Sequence, residues 1–548
     1  MDTRQQKKYD ELKRRLTAME SRRHVYERMW QRAAELADPK NANFTVEYGP
    51  GQFNKGARKT DNTVALAVPK WASAIDGLTT PKTQKWHGLT VSDDYLNTKY
   101  RDWLERQRDR LFSIRYAAGS NFANAHYENL KNIAVYGSGP FSVTEKYGQG
   151  ISYRAWPVRE FYTEQNADGE VDVFFRKFKL DKRKAIQLFK ENTPRQIIVS
   201  DDLTKEWEFL HAVYPNDDYQ PNRYDGPHKR YASDYACLTT NELIEESGFD
   251  ICPFFYPRYD VFSSLQEPYG YSPTMLLMPE MRTLAAMNRS NLRTAQRASD
   301  PGYLIANDDI INVNRVGAPN AIIPGGLNEN GQPLVQAIAG PNALPFSLEM
   351  LQDLRNTIRE GFELNLFTVL VNRPDMTATE VLQRAQETAT LLSPTTSRLE
   401  KELLSGVIEK ELEICMRSGQ LEPMPQEMAE AFAFGQASLQ ISYESPIRRA
   451  QDAGAGTAIL RTLEVAGALA NFDPSIKNKI NAVAALEEVA KAYGAPVKIF
   501  YTDEEKEQAD MNDAQLQQAE QMLQAAPVIS QSAKELAQAQ KATGASFR

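Results

Sequence analysis

Two charged helices separated by an almost uncharged stretch constrain the fold of this chain more than any other feature. The spacing of apolar residues predicts one helix over 274–298 and a second from about 347 to 367. The apolar stripe predicted for the first helix consists of Leu277, Met281, Leu284, Leu292 and Ala295. Residues 303–345 between them contain four charged side chains, which are Asp308, Asp309, Arg315 and Glu329. Short apolar runs and turn sequences at 324–326 and 330–331 indicate a small β-rich module inserted between the helices.

Each of these helices carries charge of one sign along one face. At 100° per residue, four arginines of the first helix and four acids of the second each fall within roughly 80° of arc. The arginines are Arg282, Arg289, Arg293 and Arg297, and the acids are Glu349, Asp353, Glu360 and Glu363. The stripes either pair with each other, in one chain or between neighbours, or one of them faces the lumen of a channel. We expect pairing for the arginine stripe.

The rest of the chain is predicted to be helical at both ends and rich in strands between them. Helices are predicted over 1–37, 62–78, 97–136, 181–189, 397–418, 446–470 and 476–493. In the first of these, Leu12, Leu16 and Met19 recur at i, i+4 and i+7 and form the predicted apolar stripe. Strands are predicted over 161–164 and 171–175, which flank the turn Asp168-Gly169, and over 206–214 and 235–244. The strands are grouped rather than alternating with helices. The predicted fold class is therefore α+β and predominantly helical.

A further long helix is predicted after residue 377. The segment Thr377-Ala-Thr-Glu380 has the form of a capping box, with Thr377 at the N-cap and Glu380 three residues on. The tail from about Thr502 is rich in Gln, Ala and Glu and has little apolar surface to bury alone.

The sequence lacks the residue patterns of catalysis and of metal binding. Its five histidines form no HExxH motif, and its three cysteines form no CxxC pair. Gly51 and Gly56 have P-loop spacing, but Ala57-Arg58 follow where Lys and Ser or Thr are needed. We therefore expect no catalytic residue, no metal ion, no cofactor and no enzymatic activity.

The charge balance limits the ways in which this chain can meet nucleic acid. Its 548 residues include 64 Lys and Arg against 72 Asp and Glu, which gives a formal net charge of −8. This acidity argues against a protein that coats nucleic acid, but it does not exclude DNA that is held by geometry rather than by charge. No apolar run approaches the roughly 18–20 residues that span a bilayer, so we expect no membrane association.

Three segments resemble the portal, or head-to-tail connecting, proteins of short-tailed bacteriophages, and they occur in the order found in that family. The first is the segment YGYSPTMLLMPEMRTL at 269–284, and the second is MTATEV at 376–381. The third is YESPIRRAQ at 443–451.

The resemblance implies one subunit of a ring, expected to be a dodecamer, with a wing, a two-helix stem, a clip and a crown. The wing would occupy 1–270, the first stem helix 271–299, the β-containing clip 300–345, the second stem helix 346–368, the tunnel loop 369–378, further wing helices 379–445, and the crown with a helical barrel or flexible tail 446–548.

The resemblance also implies the partners of such a ring. Double-stranded DNA would pass through its channel, packaged by the terminase large subunit and later ejected. The clip would face the terminase and then the tail adaptor or tail tube, and major capsid and scaffolding proteins would surround the ring. Its place would be the portal vertex of the virion, and the host cytoplasm during assembly. The alternative is another ring-forming head-tail adaptor or scaffold protein without motor docking.

The tunnel loop implied by the resemblance contains one cation and one anion, Arg373 and Asp375. We expect Asn372, Arg373 and Asp375 to face DNA, with Arg373 as the phosphate contact. A salt bridge between Arg373 and Asp375 within the loop is the alternative.

Overall fold

The computed structural model divides the chain into two compact units, Met1–Gln451 and Asp452–Arg548. The structure describes residues 3–46, 61–146, 150–221, 223, 225–261, 267–305, 311, 316, 322–328, 330–338, 344–369, 378–469, 480–492 and 511.

The first part of the chain is helical, as the apolar period predicts. Its helices are α1 (Thr3–Ala37), α2 (Thr63–Thr79), α3 (Asp94–Lys99), α4 (Arg101–Arg115) and α5 (Phe122–Tyr136). The predicted apolar stripe of α1 at Leu12, Leu16 and Met19 is buried. The single helix predicted over 97–136 is wrong, because the chain breaks it at Tyr100 and again over 116–121, where Gly119 interrupts the apolar period.

Among the described residues, most strands lie between residues 141 and 255, and four others lie before or after that region. They are β1 (His87–Val91), β2 (Phe141–Lys146), β3 (Gly150–Ala155), β4 (Phe161–Gln165), β5 (Val171–Asp181), β6 (Glu206–Pro215), β7 (Tyr231–Cys237), β8 (Glu242–Phe249), β9 (Phe254–Phe255), β10 (Tyr303–Ile305), β11 (Val335–Ala337) and β12 (Leu439–Tyr443). The largest sheet is antiparallel, with the order β4-β5-β6-β7-β8. A second sheet has the order β3-β2-β9, and β1 pairs with β12.

The hairpin predicted at Asp168-Gly169 is confirmed, and it joins β4 to β5 with Gly169 at φ +79°. The single strand predicted over 235–244 is wrong. The chain turns at 238–241, where Asn241 adopts φ +56°, and the two halves pair as β7 and β8. Asn is one of the few residues with a side chain that tolerates this left-handed conformation.

The five-stranded sheet is covered on both faces. On one face, Leu12 and Leu16 of α1 pack on Phe175 and Leu210. Two short helices cover the other face, α6 (Lys182–Phe189) and α7 (Arg195–Val199), as Phe189 and Ile197 pack with Phe209. The predicted helix over 181–189 is confirmed, and the Asp181 carboxylate caps it by accepting a 2.8 Å hydrogen bond from the Lys184 backbone N–H.

The remaining elements are mostly helices. They are α8 (Pro273–Leu276), α9 (Met278–Ser299), α10 (Leu344–Gly361), α11 (Leu364–Val369), α12 (Ala378–Leu399), a π-helical turn (Glu400–Leu404), α13 (Ser405–Arg417), α14 (Gln426–Ala433), α15 (Pro446–Leu469) and α16 (Ala482–Ala492). The helices predicted over 397–418, 446–470 and 476–493 are present with shifted ends. The fold is mixed helix and strand with more helix than strand, which confirms the α+β class.

The main core joins segments that are far apart in the sequence. Strand β12 pairs along β1, with Leu89 opposite Ile441. Beside this pair, Arg115 of α4 and Glu411 of α13 form a buried ion pair, in which Arg115 Nε donates to Glu411 Oε1 at 2.9 Å. Tyr153 of β3 donates to the same carboxylate oxygen at 2.7 Å. This network connects the helices that follow α11 to the first part of the chain.

Candidate functional site

The charged helix pair is anchored where α8 begins. The Ser272 hydroxyl accepts a 3.0 Å hydrogen bond from the Met275 backbone N–H and donates one of 2.9 Å to the carbonyl of Val135. The Thr274 hydroxyl donates to the carbonyl of Ala134 at 2.7 Å. Both acceptors lie near the C-terminal end of α5, where carbonyl groups lack helical partners. These bonds fix the start of α8 to α5.

Gly137 and Gly270 allow the backbone at the end of α5 to contact the backbone just before α8. Gly137 ends α5 with φ +77°, a conformation that favours glycine. A β-carbon on Gly137 would overlap the backbone of Gly270, and one on Gly270 would overlap the carbonyl of Gly137. In the Tyr-Gly-Tyr-Ser-Pro-Thr segment over 269–274, Gly270 thus allows close backbone contact, Ser272 caps α8 and Thr274 forms the second hydrogen bond to α5. These contacts account for its residue types.

Both charged helices are interrupted. The helix predicted over 274–298 is divided at Leu277 into α8 and α9, and Pro279 occupies the first turn of α9. The second predicted helix ends at Gly361, and the chain turns at Phe362-Glu363 before α11. Glu363 adopts φ +56°. It therefore lies outside α10 and does not belong to the stripe formed by Glu349, Asp353 and Glu360.

Helices α9 and α10 pack through apolar side chains near the anchored end. Met281 and Leu284 of α9 are buried, and Leu351 and Ile358 of α10 belong to the same core. The predicted apolar stripe of α9 is therefore confirmed at its start. It is wrong farther along, because Leu292 is 56 % exposed and Ala295 is exposed. The distal half of α9 has an apolar side chain in solvent.

The charge stripes also face solvent. All four arginines of α9 are exposed, and so are Glu349, Asp353 and Glu360 of α10. Within the described part of the chain, none of these side chains forms an ion pair, so the stripes do not pair with each other inside one subunit. Exposed like charges on one helix face repel one another. A partner of opposite charge would relieve that repulsion.

The ion pair that does join the two helices to the rest of the chain was not predicted. Arg355 of α10 donates to Asp61 Oδ2 from Nε at 3.1 Å and from Nη2 at 2.9 Å. Asn288 of α9 donates to the same oxygen at 2.9 Å. Arg355 is one of two cations of α10, with Arg359, and nothing in the sequence distinguishes the one that forms this contact.

Burial and hydrogen bonding act in opposite directions on the Asp61 carboxyl. Burial tends to raise its pKa, but hydrogen bonds from Thr63 and Arg355 outweigh that effect and hold the pKa below its usual value. Asp61 is therefore ionised at neutral pH. One carboxylate thus connects α9, α10 and the start of α2.

The turn after α10 contains a second carboxyl group whose pKa is shifted, that of Glu363. Glu363 Oε2 is buried and has no hydrogen-bond partner among the described residues. Burial raises the pKa of this carboxyl above its usual value. Glu363, predicted as a member of the acidic stripe, instead lies half-buried at the turn after α10.

The insert between α9 and α10 contains the expected β-structure. Strands β10 and β11 pair antiparallel, with Leu304 opposite Gln336. Several of its apolar side chains are exposed, with exposed fractions from 53 % to 82 %. They are Leu304, Ile322, Leu327 and Ile338. Apolar surface rimmed by few charges is typical of a contact surface between proteins.

Residues 370–377 of the predicted tunnel loop lie outside the described residues. This applies to Asn372, Arg373, Asp375 and the N-cap Thr377, and the side chain of Glu380 is likewise outside them. Helix α12 begins at Ala378, directly after the predicted N-cap. The DNA contact and the capping box therefore stay predictions.

The described part of the chain contains neither a cluster of metal ligands nor a membrane-spanning helix. No three His, Cys, Asp or Glu side chains there come together as metal ligands would. Of the described helices, none has both the length and the apolarity needed to cross a bilayer.

The exposed charged helix pair and the exposed apolar insert define a subunit of an assembly, because other chains are needed to cover them. Residues 9–500 match the family described as bacteriophage head to tail connecting protein. Since the match extends over most of the chain, this protein belongs to that family. Membership confirms the resemblance found in the sequence, and with it a structural rather than an enzymatic role.

Two relatives carry portal names. The chain is 24 % identical over 551 residues to the portal protein of Salmonella phage epsilon15, covering 97 % of this chain and 96 % of that protein. It is 24 % identical over 483 residues to the probable portal protein of Bordetella phage BPP-1, covering 83 % of this chain and 81 % of that protein.

Proposed function

We propose that this chain is the portal subunit of a bacteriophage, and that copies of it form a ring around a DNA channel at one capsid vertex. The observation that carries the proposal is the pair of opposite charge stripes on α9 and α10, exposed and without ion pairs inside the described chain. In a ring, the arginine face of one subunit meets the acidic face of the next. Such head-to-tail contacts close into rings when the rotation between subunits allows it.

The parts of the ring follow from the same elements. Helices α8 to α10 form the stem, and the insert at 300–345 forms the clip. Residues 1–270 and 379–445 form the wing, and 446–548 form the crown. The compact unit that begins at Asp452 supports this last boundary. The tunnel loop at 369–378 then places Arg373 against DNA phosphates, with Asn372 and Asp375 beside it.

The clip is the docking surface for successive partners. Exposed Leu304, Ile322 and Leu327 suit a surface that is covered by the terminase large subunit during packaging and by a tail adaptor afterwards. Major capsid and scaffolding proteins contact the wing. The ring assembles in the host cytoplasm, most simply as a dodecamer, and stays in the virion as its portal vertex.

Imaging of the purified full-length protein tests the ring. Light scattering gives the mass of the particle, and electron images give its symmetry and central hole. A persistent monomer at all concentrations would refute the proposal. Adding the terminase large subunit, ATP and linear DNA separates a portal from a ring-forming adaptor or scaffold protein. A portal ring within a prohead supports DNA uptake, whereas an adaptor ring does not.

A further inference from the structure

A groove between α3 and α14 exposes two aromatic rings. Its volume is about 400 Å³, and its lining includes Asp93, Tyr95, Glu427, Glu430 and Phe434. Tyr95 is 64 % exposed and Phe434 is 77 % exposed. We call this the aromatic groove. Two large exposed rings on either side of a concave surface are typical of a site that is covered by a partner.

The aromatic groove is acidic. Asp93 and Glu430 have no cationic partner among the described residues, and their hydrogen bonds come from the Leu96 backbone and the Gln426 amide. Glu427 is already bound by Lys99 and by the Tyr100 hydroxyl. Two carboxylates next to two aromatic faces suit an arginine, which can pair with a carboxylate and stack on a ring.

The outer face of α1 has the complementary character. Val25 is 74 % exposed, and Arg28 and Arg32 are exposed on the same side. The three residues lie within roughly 60° of arc and extend about 10 Å along the helix. No acid in the described chain pairs with Arg28 or Arg32, although Arg28 contacts His24 at 3.4 Å. We call these three residues the α1 ridge.

The groove and the ridge are formed by different elements of the same unit. Helix α1 packs on α2, α5 and strands of the large sheet, whereas α14 is tied to α3 by the ion pair of Lys99 with Glu427. Because the acidic aromatic groove and the basic ridge are separate surfaces, they can form a head-to-tail contact between two copies.

We infer that the aromatic groove of one subunit receives the α1 ridge of a second copy of this chain. Val25 then fills the space between the Tyr95 and Phe434 rings, and Arg28 and Arg32 pair with Asp93 and Glu430. The inference rests on the proposed ring, and it adds a contact in the wing to the one proposed for the stem.

Crosslinking between two variants tests this contact directly. Val25→Cys and Phe434→Cys are made separately in the full-length protein, whose natural Cys237, Cys252 and Cys415 are buried. Rings assembled from the two co-expressed variants are treated with a short bismaleimide. We expect a crosslinked dimer from the mixed rings and none from either variant alone. Val199→Cys on α7, also exposed, replaces Val25→Cys as the control and gives no dimer.

Charge reversal gives an independent measurement. Arg32→Glu raises the protein concentration needed for half-assembly by about tenfold or more, and the double variant Arg32→Glu/Glu430→Lys recovers most of that loss. The matched control Arg195→Glu, on the exposed surface of α7, leaves assembly unchanged. Rings that form normally without a crosslink, or without rescue, overturn this contact and leave the proposed ring intact. If the unmodified protein forms no ring at all, the proposed function itself is wrong.

Discussion

The side chain of Leu277 lies directly over Gly361, where a β-carbon would come within 2.6 Å of Leu277 Cδ1. Leu277 is the residue at which α8 gives way to α9, and Gly361 is the last residue of α10. The interruptions of the two charged helices therefore meet at one contact. Because Leu277 is buried, its side chain has little room to move aside.

Replacing Gly361 with alanine should destabilise the protein. The added methyl group overlaps the Leu277 side chain, and such overpacking typically costs about 1–3 kcal/mol of unfolding free energy. Urea unfolding of the Gly361→Ala variant measures the loss. Gly77→Ala in α2 is the matched control, because its β-carbon meets no atom within 4 Å. We expect that control to be neutral or stabilised by about 0.5–1 kcal/mol. Equal effects at the two positions would show that Leu277 can move aside.

Removing the charge of Glu411 should lower the unfolding free energy more than Gly361→Ala does. Arg115 is buried between aromatic rings, with its guanidinium carbon 4.7 Å from the Trp86 centroid, and it would be left as an uncompensated charge. Breaking a buried pair in this way typically costs about 3–5 kcal/mol of unfolding free energy. Chemical unfolding of Glu411→Gln checks this value.

The exposed pair Arg106–Glu422 provides the comparison, because both side chains are about half exposed. Glu422→Gln should change the unfolding free energy by less than about 1 kcal/mol. A Glu411→Gln loss as small as this would mean that Arg115 finds another partner, and His87 Nε2, 2.9 Å from Arg115 Nη1, is the candidate.

Local sequence patterns predicted the elements that depend on neighbouring residues. The Leu12, Leu16 and Met19 spacing predicted α1, Asp168-Gly169 predicted the β4–β5 hairpin, and the charge-poor insert predicted β-structure between two helices. In each case residues within about four positions of one another determine the conformation.

Contacts between distant residues could not be predicted in this way. The pairing of β1 with β12 joins Leu89 to Ile441, and the apolar alternation within each short segment does not indicate which strand it pairs with. The Asp61–Arg355 pair and the contact of Leu277 with Gly361 likewise depend on tertiary packing. The apolar periodicity did not predict how the wing, stem, clip and crown follow one another or what each does. Those predictions came from the resemblance of three segments to a known family.

Acid should weaken the fold through its buried histidines. Burial, followed by the positive charge of Arg115, holds the pKa of His87 well below its usual value. Burial also lowers the pKa of His126 to about 4 and that of His211 to about 3. Between these values and the usual pKa near 6.5, the unfolded chain binds protons that the folded chain does not. The contribution of these histidines to the unfolding free energy is therefore fully present above about pH 6.5. As the pH decreases from 6.5, the unfolding free energy decreases by up to about 1.4 kcal/mol per pH unit for each histidine.

Removing one of these histidines should reduce the acid dependence. His126 stacks on Phe122, and neither of its ring nitrogens has a hydrogen-bond partner among the described residues, so His126→Leu loses no such bond. We expect the unfolding free energy of this variant to fall less steeply between pH 6.5 and about 4. Val199→Leu, at an exposed position without a titrating side chain, serves as the control and keeps the original slope. An unchanged slope in His126→Leu would show that His126 does not contribute to the acid dependence of stability.

Arg373 should affect DNA rather than assembly. It is the single cation of the proposed tunnel loop, and a phosphate contact from it would add friction or grip on DNA without joining subunits. Arg373→Ala should therefore form normal rings but package shorter DNA or retain it less well. Packaged DNA length and retention after packaging are the measurements, and Arg373→Lys should preserve both in part. Unchanged length and retention in Arg373→Ala would remove the residue from the proposed DNA path.

Reversal of Arg289 should prevent ring assembly while leaving the subunit folded. Arg289 is exposed and, within the described chain, has no ion pair, so Arg289→Glu removes no contact inside the subunit. In the proposed ring it meets an acidic stripe from the neighbour, and the reversed charge would repel that stripe. Light scattering should show subunits in place of rings, and thermal unfolding should show the melting temperature of the unmodified monomer.

A second reversal at Glu349, Asp353 or Glu360 should restore part of the assembly. Arg183→Glu, exposed on α6, should assemble normally. If Arg289→Glu alone also assembles normally, the arginine stripe does not join subunits, and the alternative, an arginine face directed at the channel, takes its place.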